Sequence, residues 1–111
     1  MDETLKVFYN FFMIKNNQPI IEQHVVISGK VQGVFYRQSC HDKAIELGIR
    51  GWVKNNSNGT VEALFQGSKT TLELMLNWCT RGPIKARVDQ VAILSNKDCT
   101  DLQKRFTIES I

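Results

Sequence analysis

Asn58-Gly59 stands between two strand-like runs, residues 49–54 and 60–66, with Asn55, Asn56 and Ser57 leading into the pair. Asn and Gly both tolerate positive φ, which tight hairpin loops demand, so the two runs are expected to pair antiparallel. Upstream, Val25 and Ile27 alternate against His24, Val26 and Ser28 as a half-buried strand does, and the strand is expected to end at Gly29. Tyr36, Cys40, Ala44 and Leu47 then share one helical face, with Gly48 as the stop. Past the hairpin, Thr70 with Glu73 fits a capping box. Leu72, Met75, Leu76 and Cys79 follow as a second buried face, closed by Gly82 and Pro83. A strand over residues 87–94 and a short one over 106–108 complete the chain, although neither face of the former is cleanly polar.

The order is strand, helix, strand, strand, helix, strand, with a short extra strand. Each helix must then cross one face of a common antiparallel sheet. This is an α+β chain with the ferredoxin-like plait, two helices on one face, and the fold alone decides no function.

With 111 residues the chain holds one domain, and 42% hydrophobic with 23% charged residues excludes long disorder, collagen and coiled coil. Four of its ten aromatics, Phe8, Tyr9, Phe11 and Phe12, lie in residues 1–20, which read as an appendage to a domain over 21–111. They are expected to pack on that domain or on a neighbouring copy, and Met13 as an alternative start stays open. The longest apolar stretch, residues 7–14, is interrupted by Asn10 and is far short of the ~18 residues of a membrane span. It follows Asp2 and Glu3 rather than a basic leader, so the cytoplasm and a monomer without membrane contact are expected. A net charge of +3 suits a small anion better than nucleic acid. Cys40, Cys79 and Cys99 are widely spaced and lack clustered His, which indicates neither a disulfide framework nor a zinc site.

The chemistry concentrates in Gly29-Lys30-Val31-Gln32-Gly33-Val34-Phe35-Tyr36-Arg37, the loop between the first strand and first helix. Backbone N–H groups there can converge on an anion, aided by the helix dipole. Arg37 adds a planar fork suited to two phosphate oxygens. The plainer reading is a glycine turn followed by a solvated arginine. In Gly51-Trp52-Val53-Lys54-Asn55-Asn56-Ser57-Asn58-Gly59, Asn58 reads as a turn residue, whereas Asn55 at a strand end can offer a carboxamide to a water or a ligand.

Together these segments resemble the acylphosphatase family, which carries a Gly-x-Val-Gln-Gly-Val loop running into Phe or Tyr and then Arg, and a Gly-Trp-Val-x-Asn strand. The resemblance spans residues 21–111. It implies a small enzyme that hydrolyses carboxyl phosphates without metal or other cofactor. Arg37 would grip the phosphoryl group, Asn55 would orient the attacking water, and Val31, Gln32, Gly33, Val34, Phe35 and Tyr36 would form the phosphate-binding loop. A carboxylate leaving group, with a conjugate-acid pKa near ~4, needs no general acid. The implied substrate phosphate itself accepts the water's proton.

The alternative is a noncatalytic module on the same fold that binds nucleic acid or a small anion. Residues 60–66 lack the basic and glycine-aromatic elements of an RNA-recognition strand. A third reading, a relative of the acylphosphatase-like module of hydrogenase-maturation proteins, leaves no room for further domains in a chain ending at Ile111. His24, His41, Trp52 and Trp78 are read as structural or solvent-facing.

Overall fold

The computed structural model describes residues 18–110. The N-terminal aromatics, Met13 and the expectation that residues 1–20 pack on the domain lie largely outside the described residues. In chain order the elements are β1 (Ile21–Lys30), α1 (Tyr36–Glu46), β2 (Arg50–Asn55), β3 (Val61–Gly67), α2 (Lys69–Cys79), β4 (Arg87–Asp98) and β5 (Phe106–Glu109). They build a five-stranded sheet in the order β4-β1-β3-β2-β5. Alternate strand residues Val25, Ile27, Val53, Val61, Ala63 and Phe65 are buried in one core with Tyr36, Cys40 and Ala44 of α1 and Leu72, Met75 and Cys79 of α2.

The first four strands are antiparallel as expected, but β5 joins β2 in parallel, so the sheet is mixed. The reason is directional. β4 runs against β1, and a chain that reverses after β4 and reaches the far edge must return in the direction of β2. Four strand spacings, about 19 Å, separate the two edges. The eight steps from Asp98 to Phe106 can cover about 26 Å when extended, so residues 99–105 reach across with room for the bends at Thr100–Asp101 and Lys104–Arg105. Buried Gln66 fastens it: Nε2 donates to Glu22 Oε1 at 2.8 Å and to the Asp101 carbonyl at 2.9 Å, while Oε1 accepts from Gln103 N–H at 2.8 Å.

Three local expectations are corrected. The cap of α2 is Ser68, whose Oγ accepts from Thr71 N–H at 3.2 Å, and the Thr70–Glu73 capping box does not form. A serine in extended conformation two residues earlier takes the capping position, and Glu73 is left exposed. The hairpin closes through Gly59 N–H to the Asn56 carbonyl at 3.2 Å, and only Gly59 of the Asn58-Gly59 pair has positive φ. That is a longer loop ending in a left-handed glycine, rather than a two-residue turn with both residues left-handed. Finally, β4 runs to Asp98. Ser28 pairs with Gln90 and Gly29 with Val88, while His24 pairs with Ser95 and Val25 with Ile93, which leaves Asp89 and Leu94 as bulge residues. Each bulge shifts the inward phase by one residue, so no single alternation runs along the strand.

Candidate active site

The loop after β1 is anchored from below. Val31 and Val34 are buried in the core, and Tyr36 is buried with its hydroxyl donating to the Cys79 carbonyl at 2.7 Å. Burial, with Cys79 and Cys40 alongside, pushes the Tyr36 phenol well above its ordinary range, and burial does the same to the Cys40 thiol. These groups are fixtures of the core, not acids or bases. What the loop offers outward is mainly its backbone and the start of α1. The first bond of that helix runs from Ser39 N–H to the Phe35 carbonyl at 3.0 Å, and no side chain caps it. Tyr36, Arg37 and Gln38 therefore keep N–H groups without intrahelical partners, and no acidic residue occupies the first turn to compete with an anion.

Below this helix start lies a cleft of about 450 Å³. Val31, Gln32, Gly33, Phe35, Tyr36 and Arg37 from the loop line it, and Asn55 from the end of β2 faces them. Among the described residues Arg37 forms no hydrogen bond or ion pair with another side chain. Asn55 Oδ1 is buried without a hydrogen-bond partner. The structure thus brings together the two residues singled out in separate motifs and six of the seven positions of 31–37. Val34 is the exception, its side chain being turned into the core.

Two details set the geometry. Gly51 sits so close to β3 that a Cβ there would lie 1.9 Å from the Leu64 carbonyl oxygen, at a φ of 129°. Only glycine lets β2 approach closely enough to carry Asn55 to this position. Gln32 does not spend its side chain on a ligand: Nε2 donates to the carbonyls of Asn56 and Thr60, both at 2.8 Å, which uses both of its protons. It braces the loop against the hairpin. Asn56 continues the brace, with Nδ2 donating to Thr60 Oγ1 at 3.0 Å and Glu62 Oε1 at 3.1 Å. Sequence reasoning missed Asn56 and Thr60, for which the only signal was a polar cluster around a turn. Asn58 accepts from Thr60 N–H and hydroxyl, the local turn role expected of it.

Glu62 ends this chain of bonds. Partial burial pushes its carboxyl up, but hydrogen bonds from His24 and Asn56, with the charge of Lys54, outweigh that and hold it below its ordinary value. His24 Nε2 meets Glu62 Oε2 at 2.6 Å, and His41 lies beside Asp42 and the Phe106 ring. Neither histidine lines the cleft. Among the described residues no group of three His, Cys, Asp or Glu could hold a metal ion, and no helix is long and apolar enough to cross a membrane.

Comparisons with known proteins converge on one family. The family model described as Acylphosphatase matches residues 23–108. An acylphosphatase of Pelotomaculum thermopropionicum is 46% identical over 70 residues, 63% of this chain and 76% of that protein. One from a Roseiflexus species is 44% identical over 85 residues, 77% of this chain and 90% of that protein. The solved acylphosphatase of Coxiella burnetii superposes with a TM-score of 0.73 at 36% identity, covering 82% of this chain and 94% of its own.

Proposed function

The chain belongs to the acylphosphatase family, hydrolases that act on acyl phosphates, and from that membership we propose that the cleft between the 29–37 loop and the β2–β3 hairpin is where it does so. In this reading Arg37 holds two phosphoryl oxygens in its fork, and the free N–H groups at the start of α1 receive the remaining charge. Asn55 Oδ1 accepts a hydrogen bond from the attacking water and aims its oxygen at phosphorus. As the new P–O bond forms, the bond to the acyl oxygen breaks and its electron pair leaves on the carboxylate. The water's proton passes to a phosphoryl oxygen of the substrate. Charge spread over those oxygens in the transition state is what a fixed guanidinium and oriented N–H dipoles stabilise.

The observation that carries this assignment is the orphaned Asn55 Oδ1, buried without a partner in the cleft that Arg37 lines. An unpaired buried acceptor costs roughly 1–3 kcal/mol, and a bound water that donates to it recovers that cost. The test is phosphate release from benzoyl phosphate by the full chain. Saturable release, competitively inhibited by inorganic phosphate, is expected; no release from a folded protein overturns the assignment. The same reading has the enzyme acting as a cytoplasmic monomer without nucleic acid. The cleft lies within one chain, and a net charge of +3 gives little purchase on a polyanion. A noncatalytic role is not favoured, because the matching family and its named members are enzymes.

A further inference from the structure

Phe35 is out of place on ordinary grounds. It is the only non-glycine among the described residues with positive φ, at 65°, and its side chain is 76% exposed. For a bulky residue that backbone conformation is strained, and a glycine would adopt it freely. A solvated ring returns nothing to the folded chain in exchange. Strain held by an exposed aromatic at the lip of a binding cleft points to a use of the ring itself.

The rest of the cleft shows what that use is. Arg37 and the helix start belong to the phosphoryl group, and Asn55 to the water. Gln32 is tied to the hairpin, and Gln38 donates to Asp42 Oδ1 at 3.0 Å. The lining side chains left over are apolar: Phe35 from the loop and Ile108 from β5, itself 38% exposed. Among the described residues no second cation lines the cleft, so a further anionic group on the substrate meets no partner from them there. The acyl part is the portion of the substrate with no partner yet assigned, and it must lie against whatever lining surface remains.

We propose that Phe35 and Ile108 form the acyl-group subsite and select acyl phosphates with an apolar, above all aromatic, acyl part over small polar ones; this rests on the active-site reading given above. The ring of Phe35 offers an offset or edge-on aromatic contact, and Ile108 an aliphatic wall. Both are exposed in the absence of substrate because the surface that covers them is the acyl group.

The experiment compares kcat/KM for benzoyl phosphate and acetyl phosphate in the full-length wild type, Phe35→Ala, Phe35→Gly and Ile108→Ala. Taking the benzoyl-to-acetyl ratio within each protein, relative to the wild-type ratio, cancels the intrinsic reactivity of the two phosphates. That ratio is expected to fall about tenfold in both Phe35 variants and severalfold in Ile108→Ala, chiefly through KM for benzoyl phosphate. Phe35→Gly is expected to melt no lower than Phe35→Ala, since it relieves the backbone. A ratio within twofold of wild type in the Phe35 variants, with both substrates slowed in proportion, overturns the subsite and leaves the active-site reading standing. Should neither Phe35 variant fold, the ratio in Ile108→Ala decides the matter in the same way. A wild type that hydrolyses neither compound overturns the active-site reading instead.

Discussion

Among the described residues Arg37 is the one charged side chain that lines the cleft, so in the proposed site its removal leaves the phosphoryl oxygens with backbone dipoles alone. Arg37→Ala is expected to lower kcat/KM by at least ~10³ with an unchanged circular dichroism spectrum. Arg37→Lys should recover little of that, because an ammonium is a point charge and cannot span two oxygens. Near-normal turnover in a folded Arg37→Ala protein would remove Arg37 from the mechanism. Asn55 and Asn56 are neighbours with different tasks. Asn55→Ala is expected to cut kcat by roughly 10² while inorganic phosphate still inhibits, whereas Asn56→Ala, which breaks bonds to Thr60 and Glu62, should act more on stability than on kcat. Equal losses of both kcat and phosphate affinity in the two variants would make Asn55 structural. Glu62 gives a pH test. Its carboxyl is held below the unfolded value of about 4.3, so its bonds stabilise the fold above that pH and are lost as pH falls through the depressed folded value. Melting curves of wild type and Glu62→Gln should therefore differ at neutral pH, the difference shrinking as pH falls below the unfolded value and vanishing only below the depressed folded one. Of these residues, Arg37 and Asn55 were legible because each ends a motif that dictates where its side chain lies. The strain at Phe35 and the true partner of Gln32 were not, since both depend on how two distant segments meet.

The unit that holds the site is the loop–helix start braced on the β2–β3 hairpin, and Gln32 is the brace. A misplacement of about 1 Å at a reacting centre can cost about 10²-fold, and both Gln32 bonds fix the distance between the phosphate loop and the strand end that bears Asn55. Gln32→Leu keeps the side chain's bulk and removes both bonds. It is expected to lower kcat/KM by ~10- to 10²-fold, and its effect should be less than additive with Asn55→Ala in a double-mutant cycle. Full additivity would mean that the brace does not position Asn55. Elements built on one unbroken period were readable from the chain: α1 buries Tyr36, Cys40 and Ala44, and β1 buries Val25 and Ile27, as their spacing requires. β4 was not, because its two bulges change phase where no residue type announces them. The start of α2 shifted for a similar reason. Ser68, Thr70 and Thr71 can all cap in principle, and the end of β3 at Gly67 decides which one does.

Across the molecule, the cleft proposed as the active site and the polar staple of Gln66 sit at opposite ends of the sheet. The 29–37 loop follows the end of β1, whereas Gln66 pairs near its beginning, opposite Glu22. The staple region is also where the N-terminal segment enters. Ile20 already belongs to the fold, for its carbonyl accepts from Cys99 N–H at 3.0 Å and helps hold the start of the crossing to β5. The boundary drawn from composition, with the domain starting at 21, therefore falls one residue inside this bond. A chain beginning at Gln18 keeps Ile20, every element among the described residues and every described residue that lines the cleft. It is expected to fold and to release phosphate from benzoyl phosphate with kcat/KM within about threefold of the full chain, since residues 18–110 supply the buried core and the cleft described above. A chain beginning at Ile21 loses the Cys99 bond and should melt lower, as removal of one hydrogen bond costs about 1 kcal/mol. Thermal melting, sedimentation and phosphate release on the three lengths separate the outcomes. If the Gln18 chain is folded and monomeric yet inactive, residues 1–17 contribute to catalysis, and the cleft lined by the loop and Asn55 is not the whole site.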